Sequence, residues 1–174
     1  MKKEKSLYNA AIANNYAFID GQNLHKGIKE LGWSLDYRKF RRYLSEKYGV
    51  SQAYMVMGFI ETNSQLYAAL QQHGFILIFK PTLKYKDGKV KGNCDADLVL
   101  NAMIKFPEYE KAVIVSGDGD YFCLVKHLND HRKLRMILVP NENSYSALLK
   151  PFANGQLAGI DVQRAKLEYK KRTP

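Results

Sequence analysis

Short apolar runs separated by helical patterns constrain this chain most. "YAFID" (Tyr16 to Asp20), "QAYMVMGFI" (Gln52 to Ile60), "FILIF" (Phe75 to Phe79), "AVIV" (Ala112 to Val115) and "RMILV" (Arg135 to Val139) all have strand length. "FILIF" is apolar at every position, which predicts a strand buried on both faces. Between the runs, Asp36 is placed to cap a helix carrying Tyr37, Phe40 and Leu44 on one face, and Gly49 to end it. Asn63 is placed to cap a helix with Leu66, Ala69 and Leu70, stopped by Gly74. Further helices are predicted over 95–106, before Pro107, and over 119–129, with a short one in "SYSALLKPF". Strand and helix in alternation with short connections specify an α/β fold: a three-layer α/β/α sandwich around a mainly parallel sheet.

The expected organisation is an N-terminal arm over 1–15 and a single domain over 16–174 with a basic tail. A chain of 174 residues suits one domain. Its formal charge of +10 favours a polyanionic partner, nucleic acid first. No uncharged apolar run approaches the roughly 18 residues of a membrane span, and the first residues lack a signal-peptide core. Two cysteines make no disulfide framework, so a reduced, cytoplasmic compartment is expected.

The acids carry the chemistry. Asp20 ends the first strand, Asp118 and Asp120 follow the strand at Val115, and Asp95 and Asp97 open a helix. Ligands of open α/β sheets bind beyond the carboxyl ends of the strands. Carboxylates gathered there repel one another, and a divalent cation such as Mg²⁺ compensates them. Such ions activate water for phosphodiester cleavage. Each acid also has a plain structural reading. Asp120 suits a helix cap, Asp118 a turn, and Asp95 and Asp97 the favourable end of a helix dipole. Gly117 and Gly119 fit either close backbone approach to a ligand or positive φ.

"FIDGQNL" (Phe18 to Leu24), "KGNCDADLVLNAM" (Lys91 to Met103) and "VSGDGDYFCLVKHL" (Val115 to Leu128) together resemble the NYN domains, a branch of the PIN-like nuclease superfamily that includes LabA-like bacterial proteins. The resemblance implies a PIN-like sandwich and metal-dependent cleavage of RNA. It implies Asp20, Asp95, Asp118 and Asp120 as catalytic and metal-holding residues, with Mg²⁺ or Mn²⁺ as cofactor. Asn23 matches the asparagine after the first strand, and Ser116 the hydroxyl before the acidic pair. Where the family often carries a further aspartate, this chain has Asn101, which leaves Asn101 or Asp97 as an auxiliary position.

Other signals are weaker. His127 and His131 are four apart but lack a third ligand, and read as ordinary helix-end residues; Cys123 reads as core. A phosphatase-like nucleophile at Asp20 lacks the second acid, because Gln22 stands there. A Toprim reading lacks its glutamate. "LKYKDGKVKG" reads as a hairpin turning at Asp87-Gly88, on which Lys84, Lys86, Lys89 and Lys91 form either a solvated edge or a basic arm for RNA. Tyr85 among them suits stacking on a base or plain packing. Arg38, Lys39, Arg41 and Arg42 form a second basic stretch.

The expected function is a metal-dependent ribonuclease hydrolysing RNA phosphodiester bonds. The alternatives are a non-catalytic RNA-binding or regulatory module on the same fold, and a small-molecule phosphohydrolase. RNA is the expected partner and no membrane is; oligomeric state is left open, a homodimer included.

Overall fold

The computed structural model describes residues 13–80, 83–84, 90–91 and 95–170. A six-stranded sheet runs in the order β3-β2-β1-β6-β7-β8, with all five pairings parallel. The strands are β1 (Asn15–Asp20), β2 (Val50–Gly58), β3 (Phe75–Lys80), β6 (Ala112–Val115), β7 (Leu134–Val139) and β8 (Leu157–Gly159). A separate antiparallel pair, β4 (Leu83–Lys84) and β5 (Val90–Lys91), lies between them in sequence. The helices are α1 (Gly21–Glu30), α2 (Tyr37–Tyr48), α3 (Ser64–Gln72), α4 (Asp95–Ile104), α5 (Phe122–Asp130) and α6 (Arg164–Leu167).

Successive residues of β1 point to opposite faces, and each face closes its own core. Tyr16 and Phe18 pack with Leu98 and Ala102 of α4 and Leu124, Val125 and Leu128 of α5. Ala17 and Ile19 pack with Leu24 and Ile28 of α1, Phe40 and Leu44 of α2, and Leu167 of α6. This is the expected three-layer sandwich. The chain leaves β1 for β2 and β3 on one side, then returns to place β6 on the other. The reversal between β1 and β6 is the switch point at which doubly wound sheets bind ligands.

Local chemistry explains most boundaries. The Asp36 carboxylate accepts the Lys39 N–H at 3.0 Å, starting α2, and Gly49 ends it at φ 65°. The same helix's basic residues are tied down locally. The Arg41 guanidinium donates to the carbonyls of Gly74, Val50 and Ser51, and Lys39 donates to that of Glu168.

Several expectations are corrected. α1 has no counterpart in the sequence reading, and β1 already includes Asn15, inside the range expected for the arm. β3 is an edge strand, with Ile76 43% and Phe79 38% exposed, because no strand follows it in the sheet. The Asn63 side chain makes no capping bond; a 3₁₀ turn over Glu61–Asn63 leads into α3 instead. α5 starts at Phe122, after a 3₁₀ turn over Gly119–Tyr121, and the shifted helical phase turns Cys123 to solvent. β4 and β5 pair antiparallel with Lys84 opposite Val90 and Lys91 opposite Leu83, so these two lysines occupy successive register positions. The lysine side chains, Tyr85, Lys86, Lys89 and the Asp87-Gly88 turn lie outside the described residues.

Candidate active site

β1 delivers Asp20 to the switch point and α1 fixes it there. Asp20 is the N-cap of α1: its Oδ1 accepts the N–H groups of Gln22 at 3.1 Å and Asn23 at 2.9 Å. Its other oxygen, Oδ2, accepts the Tyr121 hydroxyl at 3.1 Å. Only 6% of Asp20 is exposed. Burial raises its carboxyl above the ordinary range and the negative charge of Asp95 adds to this, against the lowering effect of its three hydrogen bonds. Asp95, in the first turn of α4, lies near enough for its charge to act on both Asp20 and the Tyr121 phenol. The Tyr121 phenol is pushed up, by its own burial first and then by the two carboxylates. Asp20 therefore holds the buried hydroxyl, with the Asp95 charge close by.

Asp118 and Asp120 are held differently. Asp118 caps the 3₁₀ turn that follows β6, its Oδ1 accepting the Asp120 N–H at 3.1 Å. Ser116 is buried and its Oγ accepts the Asp118 N–H at 3.1 Å. Both acids line a shallow, open depression whose other wall holds Ser144, Tyr145 and Ser146. Neither neighbouring glycine has positive φ. Gly119 is required for space, since a Cβ there would collide with the Ser146 side chain. Asn23 joins the two halves: its Oδ1 accepts the Gly117 N–H at 3.0 Å, tying α1 to the loop after β6.

The auxiliary positions are engaged elsewhere. Asp97 pairs with Lys80 at 3.7 Å, and the Asn101 amide donates to the Asp97 carbonyl at 2.8 Å within α4. His127 and His131 have ring centroids 4.1 Å apart, beside the Phe106 ring, and serve packing. Among the described residues no three His, Cys, Asp or Glu side chains gather into a metal-holding group. The constellation present is Asp20 with Asp95. Sequence reasoning missed Tyr121: it sits in the quoted "SGDGDY" segment, but its partner lies 101 residues away.

Hard oxygen donors on buried Asp20 and half-buried Asp95, with mutual repulsion to relieve, fit Mg²⁺ or Mn²⁺. Mg²⁺ is commonly held by one or two carboxylates with waters and phosphate oxygens completing its shell.

A doubly wound parallel sheet with carboxylates at its switch point defines an α/β domain with a candidate acidic centre. The chain belongs to the NYN domain family, whose model matches residues 16–154. It is 25% identical over 114 residues to the low amplitude and bright protein LabA of Synechococcus elongatus, covering 60% of this chain and 61% of that protein. The chain thus matches less than two thirds of the relative's length. A solved structure of a protein of unknown function from Vibrio parahaemolyticus shares the fold, with a TM-score of 0.73 at 22% identity, covering 97% of this chain and 100% of that one. Among the described residues, no helix is long and apolar enough to cross a membrane.

Proposed function

We propose that this protein is a Mg²⁺- or Mn²⁺-dependent ribonuclease that hydrolyses RNA phosphodiester bonds at the switch point. The observation that carries the reading is buried Asp20 at the switch point, held by the Tyr121 hydroxyl and repelled by the nearby Asp95 carboxylate. NYN domains belong to a nuclease superfamily, and the net charge of +10 suits a polyanionic substrate.

Asp20 and Asp95 would hold the ion, with Asp118 and Asp120 completing the acidic rim. When bound, such an ion supplies water activation and neutralises charge developing on the phosphoryl group. The chain's own residues do the positioning. Two backbone N–H groups fix one oxygen of Asp20, and Tyr121 fixes the other. Tyr121 keeps its proton, so it donates to Asp20 and adds no third negative charge. Asn23 holds the loop bearing Asp118 in register with α1. Lys84, Lys86, Lys89 and Lys91 are proposed to meet the phosphate backbone.

A second reading, a non-cleaving RNA-binding or regulatory module, draws on the lack of a three-ligand group among the described residues. One assay separates the readings. Purified protein is incubated with labelled RNA, single-stranded DNA or a generic phosphomonoester, with Mn²⁺, Mg²⁺ or EDTA. RNA cleavage abolished by EDTA is the expected result. RNA binding without cleavage selects the second reading, and phosphomonoester turnover overturns both.

A further inference from the structure

Beside the acidic centre, at the same end of the sheet, lies a cavity of about 290 Å³. It begins at Gly21 and Gln22, the two residues that follow Asp20. Its floor and walls are apolar: Met57 at the end of β2, then Ile60, Leu66, Tyr67 and Leu70. The wall is pinned, because the Tyr67 hydroxyl accepts the Ile60 N–H at 2.8 Å and donates to the Gly58 carbonyl at 3.4 Å. Polar groups interrupt this lining at Gln22, His25, Tyr37 and Asn63. The hydroxyl of Tyr37 has no hydrogen-bond partner among the described residues, although burial raises its pKa. The Asn63 side chain makes no capping bond.

An apolar pocket with a few polar groups that nothing in the fold consumes is built for a ligand. Its volume lies at the bottom of the range of about 300–1,000 Å³ for sites that take drug-sized molecules, so it suits one small flat heterocycle. The neighbouring carboxylates exclude an anionic occupant, while a neutral ring with donors and acceptors on its edge matches the lining.

We propose that this cavity is a nucleobase subsite that takes one unstacked base of the RNA strand; the identity of the occupant rests on the ribonuclease reading. Apolar side chains cover the faces of the base, and Gln22, Asn63 and the Tyr37 hydroxyl meet its edge. A base enters only after leaving its stack, so the preferred substrate is single-stranded RNA.

The test uses the full chain labelled with methyl-¹³C methionine, which gives five methyl signals at most. Met57 lines the cavity, while Met103 on α4 and Met136 on β7 serve as remote controls. Adenosine, guanosine, cytidine and uridine, which are uncharged, are titrated in EDTA. The expected result is a saturable shift of the Met57 methyl with at least one nucleoside. Leu66→Trp, at an exposed wall position, should fill the cavity and weaken that nucleoside about tenfold or more. A Met57 methyl unmoved by all four overturns the subsite, as does unchanged binding by the Leu66→Trp variant. A Met57 shift that follows protein concentration alone assigns the cavity to a second copy of the chain and also overturns it. Cleavage of RNA is scored separately. Cleavage without a Met57 response removes the subsite alone, and a Met57 response without cleavage removes hydrolysis alone.

Discussion

The two pairs of aspartates at the switch point sit close in the fold and differ in physics. Asp20 and Asp95 come from separate elements, Asp20 accepts a buried tyrosine hydroxyl, and burial with repulsion from Asp95 raises the Asp20 carboxyl. Asp118 and Asp120 come from one turn, line an open depression, and are linked through a backbone N–H. Burial makes ionised Asp20 unfavourable as it stands, a cost that the proposed cation would offset. The second already has a conformational use, since Asp118 starts the turn that aims Tyr121 into the core. An acid with a structural use can still bind a ligand, but its presence in a motif says less about the chemistry.

The sharpest way to break this comparison is Asp20→Asn against Asp118→Asn. Asparagine at position 20 still accepts the two α1 N–H groups, so the cap survives. Losing the charge should remove several kcal/mol of transition-state stabilisation, on the order of a 10³-fold fall in metal-dependent RNA cleavage. Asp118→Asn should keep its turn and still lose most activity, by about 10- to 100-fold. Equal losses, measured as kcat/KM with Mn²⁺, would show that both pairs serve the ion alike.

Tyr121→Phe sharpens the role of the buried hydroxyl. It preserves the packing and removes one bond that lowers the Asp20 pKa. Mn²⁺ affinity by calorimetry should fall within about 10- to 100-fold, and the acidic limb of the pH–rate profile should move to higher pH. An unmoved limb would mean that the hydroxyl only fills space.

The smallest effect is on stability without metal. The folded protein holds a proton on Asp20 in the interval between the ordinary value of 3.8 and the raised one, where the unfolded chain has released it. Stability therefore falls as pH rises through that interval, and ionised Asp20 is a cost above it. In EDTA at neutral pH, Asp20→Asn should raise Tm, by about 2–4 °C for each 1 kcal/mol relieved. The gain should shrink on acidification, as the wild-type carboxyl is protonated too. A lower Tm at neutral pH would show that the negative charge is worth more to the α1 cap than its burial costs.

The strands of this fold and the ends that carry acids were legible because they are local: an apolar run stops and an aspartate follows. What the sequence hid depends on distant partners. "GQNLHKGIKE" carries Leu24 and Ile28 but also two glycines, so α1 reads poorly until Asp20 is seen to cap it. "FILIF" looks fully buried because nothing local reveals that the sheet ends beside it. Cys123 followed from starting a helix three residues early. Tyr121 looked like any core aromatic, and only the return of β6 beside β1 brings its hydroxyl to Asp20.

That return has a consequence for the making of the protein. Asp20 leaves the ribosome 101 residues ahead of Tyr121. At about 5–20 residues per second, synthesis separates the two by roughly 5–20 s. Through much of that interval the nascent chain carries many of its basic residues and the first acid of the centre, but not the β6 strand or the turn proposed to complete it. A chain abandoned midway is therefore a basic fragment without the paired site. Such fragments would lack the means proposed here for cutting RNA, so the order of elements along the chain would delay the proposed centre until most of the sheet is made.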